Sequence, residues 1–95
     1  MTNYVQVAAG DRSRPRDGTI KLHGPEAFAG MRAAGQLAAA ILDALVPLVG
    51  PGVTTREIDD FVLERMRAAG AVPATLGYRG YTHSCCTSVG HVVCH

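Results

Sequence analysis

The sequence predicts an α/β (α+β) fold in which two amphipathic helices pack on a small, mainly antiparallel sheet. Three observations carry this. Two long segments repeat apolar residues at three- and four-residue spacing, short strand-like runs lie on either side of them, and glycine and proline punctuate every junction between. At 95 residues the chain makes one domain at most. A chain of that size buries roughly 60 to 70% of the surface its unfolded form exposes. A hydrophobic content of 47% with 18% charged residues is that of a globular protein rather than a disordered tail.

From residue 1 to 24 the reading is an amino-terminal arm. It holds a short apolar piece, Tyr4 to Ala9, a polar turn region, Gly10 to Gly18, and an alternating piece, Thr19 to Leu22. These pieces fit either edge strands or an arm laid over the surface. Arg12, Arg14 and Arg16 are broken by Pro15 and offset by Asp11 and Asp17, which reads as a solvated loop.

The first helix opens at Pro25, whose missing N–H has no helical partner to lose. Phe28, Met31, Ala34, Ala38, Ile41, Leu42 and Leu45 give it one apolar face. Pro47 kinks or stops it, and Gly50-Pro51-Gly52 turns the chain. Thr54 with Glu57 three residues on is a capping box that starts the second helix. Its buried stripe is Ile58, Phe61, Val62, Met66 and Ala69, with Glu57, Asp60, Glu64, Arg65 and Arg67 mostly outside. Gly70 closes it, and Pro73 prevents resumption. Beyond lie a glycine-punctuated loop, Leu76 to Gly80, and two β-like runs, Ser84 to Val89 and His91 to His95, separated by Gly90. The second run stops in mid-strand, which suggests a missing carboxyl-terminal partner.

A net charge of +1 argues against nucleic-acid or membrane binding. The amino terminus has no secretory pattern and no apolar run long enough to span a bilayer, so the expected location is cytoplasmic. Three cysteines in that compartment do not make a disulfide framework.

Chemistry concentrates in residues 71–95, which hold His83, His91 and His95, Cys85, Cys86 and Cys94, and Tyr78 and Tyr81. A local zinc site is disfavoured, because adjacent strand residues such as Cys85 and Cys86 point to opposite faces. A Cys-His nucleophile lacks an evident third group to orient the histidine. Singly, the cysteines read as small buried hydrophobes, and His23 and His83 as surface or loop residues. Tyr78 and Tyr81, three apart across Gly77 and Gly80, fit either a small-substrate pocket or an aromatic-stapled loop.

Taken together, Pro51-Gly52-Val53-Thr54-Thr55, Glu57-Ile58-Asp59, Gly70-Ala71, Pro73-Ala74, Leu76-Gly77-Tyr78, Gly80-Tyr81, Ser84, Cys86, Ser88-Val89 and Val92-Val93-Cys94-His95 resemble the amino-terminal half of type I methionine aminopeptidases, from about His23 onward. The resemblance implies a pita-bread fold whose two pseudo-symmetric halves enclose a divalent metal centre (Co, Mn, Fe or Zn). It implies removal of the initiator methionine from peptides or nascent proteins, and the ribosome is a candidate partner. Residues 25–95 then correspond to part of the catalytic domain.

By position, Tyr78, Tyr81 and Cys86 line the methionine side-chain pocket, with Thr75 at a neighbouring wall. His95 corresponds to the family's catalytic histidine at the scissile amide, where a neutral imidazole stabilises developing charge. Backbone carbonyls at Gly90 and Val92 correspond to a monovalent-cation site. Gly90 departs from the family's usual Asn. The two Asp, one His and two Glu that hold the metals in the family fall beyond the last residue, so no metal is expected on this chain alone. The expectation is a truncated, inactive aminopeptidase, and the alternative is a non-catalytic half-domain that binds a partner through an open sheet edge.

Overall fold

The computed structural model describes residues 2–93. They divide into two compact units between Gln36 and Leu37, and the long first helix contributes to both.

In the first unit, strand β1 (Tyr4–Val7) pairs with strand β2 (Ile20–His23) in a two-stranded sheet. The pairing is parallel, with Tyr4 opposite Ile20 and Val7 opposite His23, which corrects the expected antiparallel sheet. Alternation of side chains is the same in either direction, so direction comes from the connection. Residues 8–19 carry the chain back to the start of β1, and Lys21 holds that loop. Its ammonium donates to the Asp11 carbonyl at 3.2 Å, to Asp11 Oδ1 at 3.3 Å, and to the Ser13 carbonyl. Asp11 Oδ1 also accepts the Ser13 N–H at 2.7 Å, and bonding from Ser13 with the Lys21 charge holds its carboxyl at about 2. Arg12, Arg14 and Arg16 are exposed on this loop.

Helix α1 (Pro25–Leu45) ends two residues before Pro47, where a turn takes over with the Leu48 N–H on the Leu45 carbonyl at 2.9 Å. Its apolar face is only partly covered. Ile41 is 5% exposed, while Phe28 and Met31 in the first unit stand 61% and 73% exposed. A cavity of about 660 Å³ in the first unit, against His23, Glu26, Phe28 and Met31, brings together none of the predicted site residues.

Helix α2 (Thr55–Ala68) is bounded by its own sequence. The Thr54 hydroxyl accepts the Glu57 N–H at 3.1 Å, and the Glu57 carboxylate accepts the Thr54 N–H at 3.1 Å. Gly70, at φ 74°, ends it: the Gly70 N–H bonds the Arg67 carbonyl and the Ala71 N–H bonds that of Met66. Such a reversal needs a left-handed residue, which only glycine adopts without strain. Thr54→Ala is expected to lower stability by about 1 kcal/mol in thermal unfolding, because one N–H of the first turn loses its acceptor.

Among the described residues of the second unit, Val62, 4% exposed, and Ile41 form the buried hydrophobic core. With Leu45, Ile58, Met66 and Cys86 they line an apolar cavity of about 290 Å³. The described part of the run from Ser84 carries no strand, which corrects the two β-like runs read there. A strand exists only through hydrogen bonds to a neighbour, and the backbone N–H groups of Ser84 and Cys85 bond a side chain instead.

Candidate functional site

The site is built on a buried carboxylate. Asp59 lies three residues before Val62 and seven before Met66, so the helical period turns it to the inner face of α2. It is 9% exposed. Oδ1 accepts the Ser84 N–H at 2.8 Å, the Cys85 N–H at 3.0 Å and the Cys85 thiol at 3.5 Å. Oδ2 lies 3.5 Å from His83 Nδ1. Burial alone pushes a carboxyl up, but the two N–H groups, the thiol and the neighbouring imidazole outweigh it and hold the Asp59 pKa below the ordinary carboxylate range. The carboxylate thus ties residues 83–85 to the helix. Its partner Ser84 is 4% exposed, and the Ser84 hydroxyl finds no hydrogen bond among the described residues.

The same loop joins the tyrosines. The Tyr81 hydroxyl donates to the Cys85 carbonyl at 2.8 Å, its ring meets the His83 ring edge-on at 5.8 Å, and the Thr75 hydroxyl donates to the His83 carbonyl at 3.1 Å. Between Thr75 and Tyr81 the backbone closes on itself, with the Gly77 N–H on the Tyr81 carbonyl at 2.7 Å and the Tyr78 N–H on that of Thr75 at 3.1 Å. Gly77, Arg79 and Gly80 all take left-handed conformations, at φ 81°, 50° and 83°. Arg79 has a Cβ and so adopts this region at a cost of about 1 kcal/mol. Its guanidinium sits 5.4 Å from the centre of the Tyr78 ring.

Thr75, Tyr78, Tyr81 and Cys86 together line a cavity of about 410 Å³. Tyr78 is 63% exposed, so the cavity is open on that side. Hydrogen bonding with the Cys86 side chain, followed by loss of solvent and the neighbouring acidic groups, raises the Tyr81 pKa, and its hydroxyl stays a neutral donor at physiological pH. Gly90 and Val92 lie in an exposed turn closed by the Val92 N–H on the Val89 carbonyl at 3.1 Å, with Gly90 at φ 61°. His95 and Cys94 fall outside the described residues.

Asp59 itself lines a separate, more polar cavity of about 220 Å³, together with Arg56, Tyr81, His83 and Cys85. Here Asp59 is the third group that a Cys-His pair needs, yet the geometry does not make a nucleophile. The thiol donates to the carboxylate rather than to the imidazole, and burial, then the Asp59 bond and charge, push the Cys85 pKa up to about 11. A thiol so protected is expected to be alkylated by iodoacetamide at pH 8 at least ~10-fold more slowly than exposed Cys86, because only a small fraction is thiolate. Peptide mapping by mass spectrometry resolves the two positions.

Asp59 carries no weight in a composition count, and its role was readable only as a polar residue at a buried spacing. Among the described residues no group of three or more His, Cys, Asp or Glu is arranged to hold a metal ion. Asp59, His83 and Cys85 are committed to one another and to the backbone. The described residues therefore do not fit a divalent metal centre. No helix among them is long and apolar enough to cross a membrane.

Residues 29–95, which include the whole of this constellation, match metallopeptidase family M24. The chain belongs to that family. It is 49% identical over 77 residues to methionine aminopeptidase A of Synechocystis, covering 81% of this chain and 30% of the relative. It is 48% identical over 71 residues to methionine aminopeptidase 2 of Mycobacterium tuberculosis, covering 75% and 25%. With the methionine aminopeptidase of Escherichia coli it shares 44% over 80 residues, covering 80% and 29%. The chain thus spans less than a third of the length of these curated relatives. No solved structure matches it. Two helices and a small sheet are the α/β class expected, consistent with part of a pita-bread fold.

Proposed function

We propose that residues 25–95 are the substrate-pocket portion of a cytoplasmic methionine aminopeptidase, which removes the initiator methionine from nascent proteins, with the ribosome as a partner. The observation that carries this is the cavity on which Thr75, Tyr78, Tyr81 and Cys86 converge, inside the segment that matches the metallopeptidase family. Two phenol rings and a thiol give apolar walls with a polar rim. A side chain of methionine size fits a cavity of about 410 Å³ that is open on one side.

In this reading His95 contacts the peptide at the scissile amide and donates a hydrogen bond to the developing oxyanion. The backbone carbonyls of Gly90 and Val92 would hold a monovalent cation. A divalent metal, with Co, Mn, Fe or Zn as candidates, would supply the activation of water in a complete catalytic domain, held by residues other than the described ones. The described residues of this chain contribute the pocket and not that step.

These 95 residues by themselves are expected to bind methionine without hydrolysing a peptide, since the described residues group no metal-holding side chains. Incubated with a Met-Ala-Ser peptide and cobalt or manganese, it is expected to release no more methionine than its His95→Ala variant, by amino-acid analysis. Release above that control overturns the inactive reading. The second reading is a non-catalytic half-domain that associates with a partner through an open sheet edge, and the two-stranded β1-β2 sheet is the edge available among the described residues.

A further inference from the structure

We propose that Asp59, on α2, is the positioning residue of this pocket, setting where the Tyr81 ring and the Cys86 side chain stand. The assignment rests on the pocket reading above.

Two paths lead from the carboxylate to the pocket wall, the first hydrogen-bonded throughout and the second starting from a charge contact with His83. One runs through Oδ1 to the Cys85 N–H at 3.0 Å, across that peptide to the Cys85 carbonyl, and on to the Tyr81 hydroxyl at 2.8 Å. The other runs from Oδ2 to His83 at 3.5 Å, whose carbonyl accepts the Thr75 hydroxyl at 3.1 Å. Cys86 follows Cys85 directly, so fixing the Cys85 backbone fixes the direction from which Cys86 enters. Asp59 is not among the residues lining the 410 Å³ cavity, and it acts on three of the four that do.

The residues between, 83–87, have no helix or strand to hold them. A loop without regular backbone bonds takes its shape from side-chain anchors, and a buried carboxylate accepting two N–H groups is among the stronger ones available. Aromatic pocket walls are useful to a ligand only when their rotamers are fixed before it arrives, since ordering them on binding weakens affinity.

The test is methionine binding by the ¹⁵N-labelled 95-residue chain, followed through the amide resonances of Thr75, Tyr78, Tyr81 and Cys86, with L-alanine as control. Asp59→Asn keeps an acceptor oxygen but no charge and is expected to weaken methionine binding about 10-fold. It should leave the far-UV circular dichroism of the helices unchanged while speeding amide exchange at Ser84 and Cys85. Asp59→Glu, which restores the charge, is expected to recover part of the loss.

A purely structural role would not be sensitive to Tyr81→Phe. If Asp59 works through the Cys85 carbonyl and the Tyr81 hydroxyl, the effect of Asp59→Asn shrinks to within about 2-fold in the Tyr81→Phe background. Wild-type affinity in Asp59→Asn, or an equal loss in both backgrounds, overturns the assignment while leaving the pocket reading intact. Absence of methionine-dependent shifts in the wild-type chain overturns both, so the two failures are told apart.

Discussion

Asp59→Ala is expected to lower the unfolding free energy by about 3 kcal/mol, a loss comparable to much of the stability of a small domain. Removing the carboxylate leaves the Ser84 and Cys85 N–H groups without their acceptor, in a part of the molecule where Ser84 is buried. Each such donor costs about 1 to 2 kcal/mol when its partner is removed and water does not replace it. Urea unfolding followed by circular dichroism at pH 7 measures the sum. A loss below about 1 kcal/mol means that solvent reaches both amides freely and that the anchor is weak.

The pH dependence has a definite sign. The folded Asp59 pKa lies below its unfolded value, because the N–H donors and His83 favour the charged form more than burial opposes it. Its contribution is therefore complete above about pH 4, the ordinary carboxylate value, and is lost as pH falls through the lower folded value. The stability gap between wild type and Asp59→Ala should be widest near neutrality and narrow below pH 4. Asp11, held at about 2, titrates in the same acid range but is common to both proteins and cancels in the difference.

Ile41→Ala is expected to cost about 2 kcal/mol, measured as a shift of the urea midpoint at constant slope. Among the described residues of the second unit, Ile41 and Val62 form the buried hydrophobic core, and both line the apolar cavity between α1 and α2. The value sits at the low end of the range for large-to-small core changes because the site already borders open space into which neighbours can relax. The exposed apolar residues of the same helix give a contrast. Met31→Ala, at a position 73% exposed, should change stability by no more than about 0.5 kcal/mol.

Both helices and their boundaries were legible in the sequence because their causes are local. Proline at the first position of α1, the Thr54 and Glu57 box and Gly70 each act within one turn of the residue that names them. Thr75, Tyr78, Tyr81 and Cys86, which line one cavity, were proposed by another route. No spacing rule selects Thr75, Tyr78, Tyr81 and Cys86 as a set, and it was the order of several short motifs that named them.

The direction of the sheet and the fate of residues 84–93 were settled only by tertiary structure. Alternating side chains look the same in parallel and antiparallel pairing, and the direction is set by residues 8–19 returning to the start of β1, a loop that Lys21 holds through Asp11 and Ser13. A β-like run becomes a strand only if another backbone offers it a ladder. Here the Ser84 and Cys85 amides bond to the Asp59 side chain, 25 and 26 residues earlier in the chain. The sequence by itself determined what depends on neighbours along the chain: the helices, their caps and the family. Which residue the pocket loop hangs from was decided by a contact between distant residues, because hydrogen-bond partners across such separations leave no periodic trace in either segment.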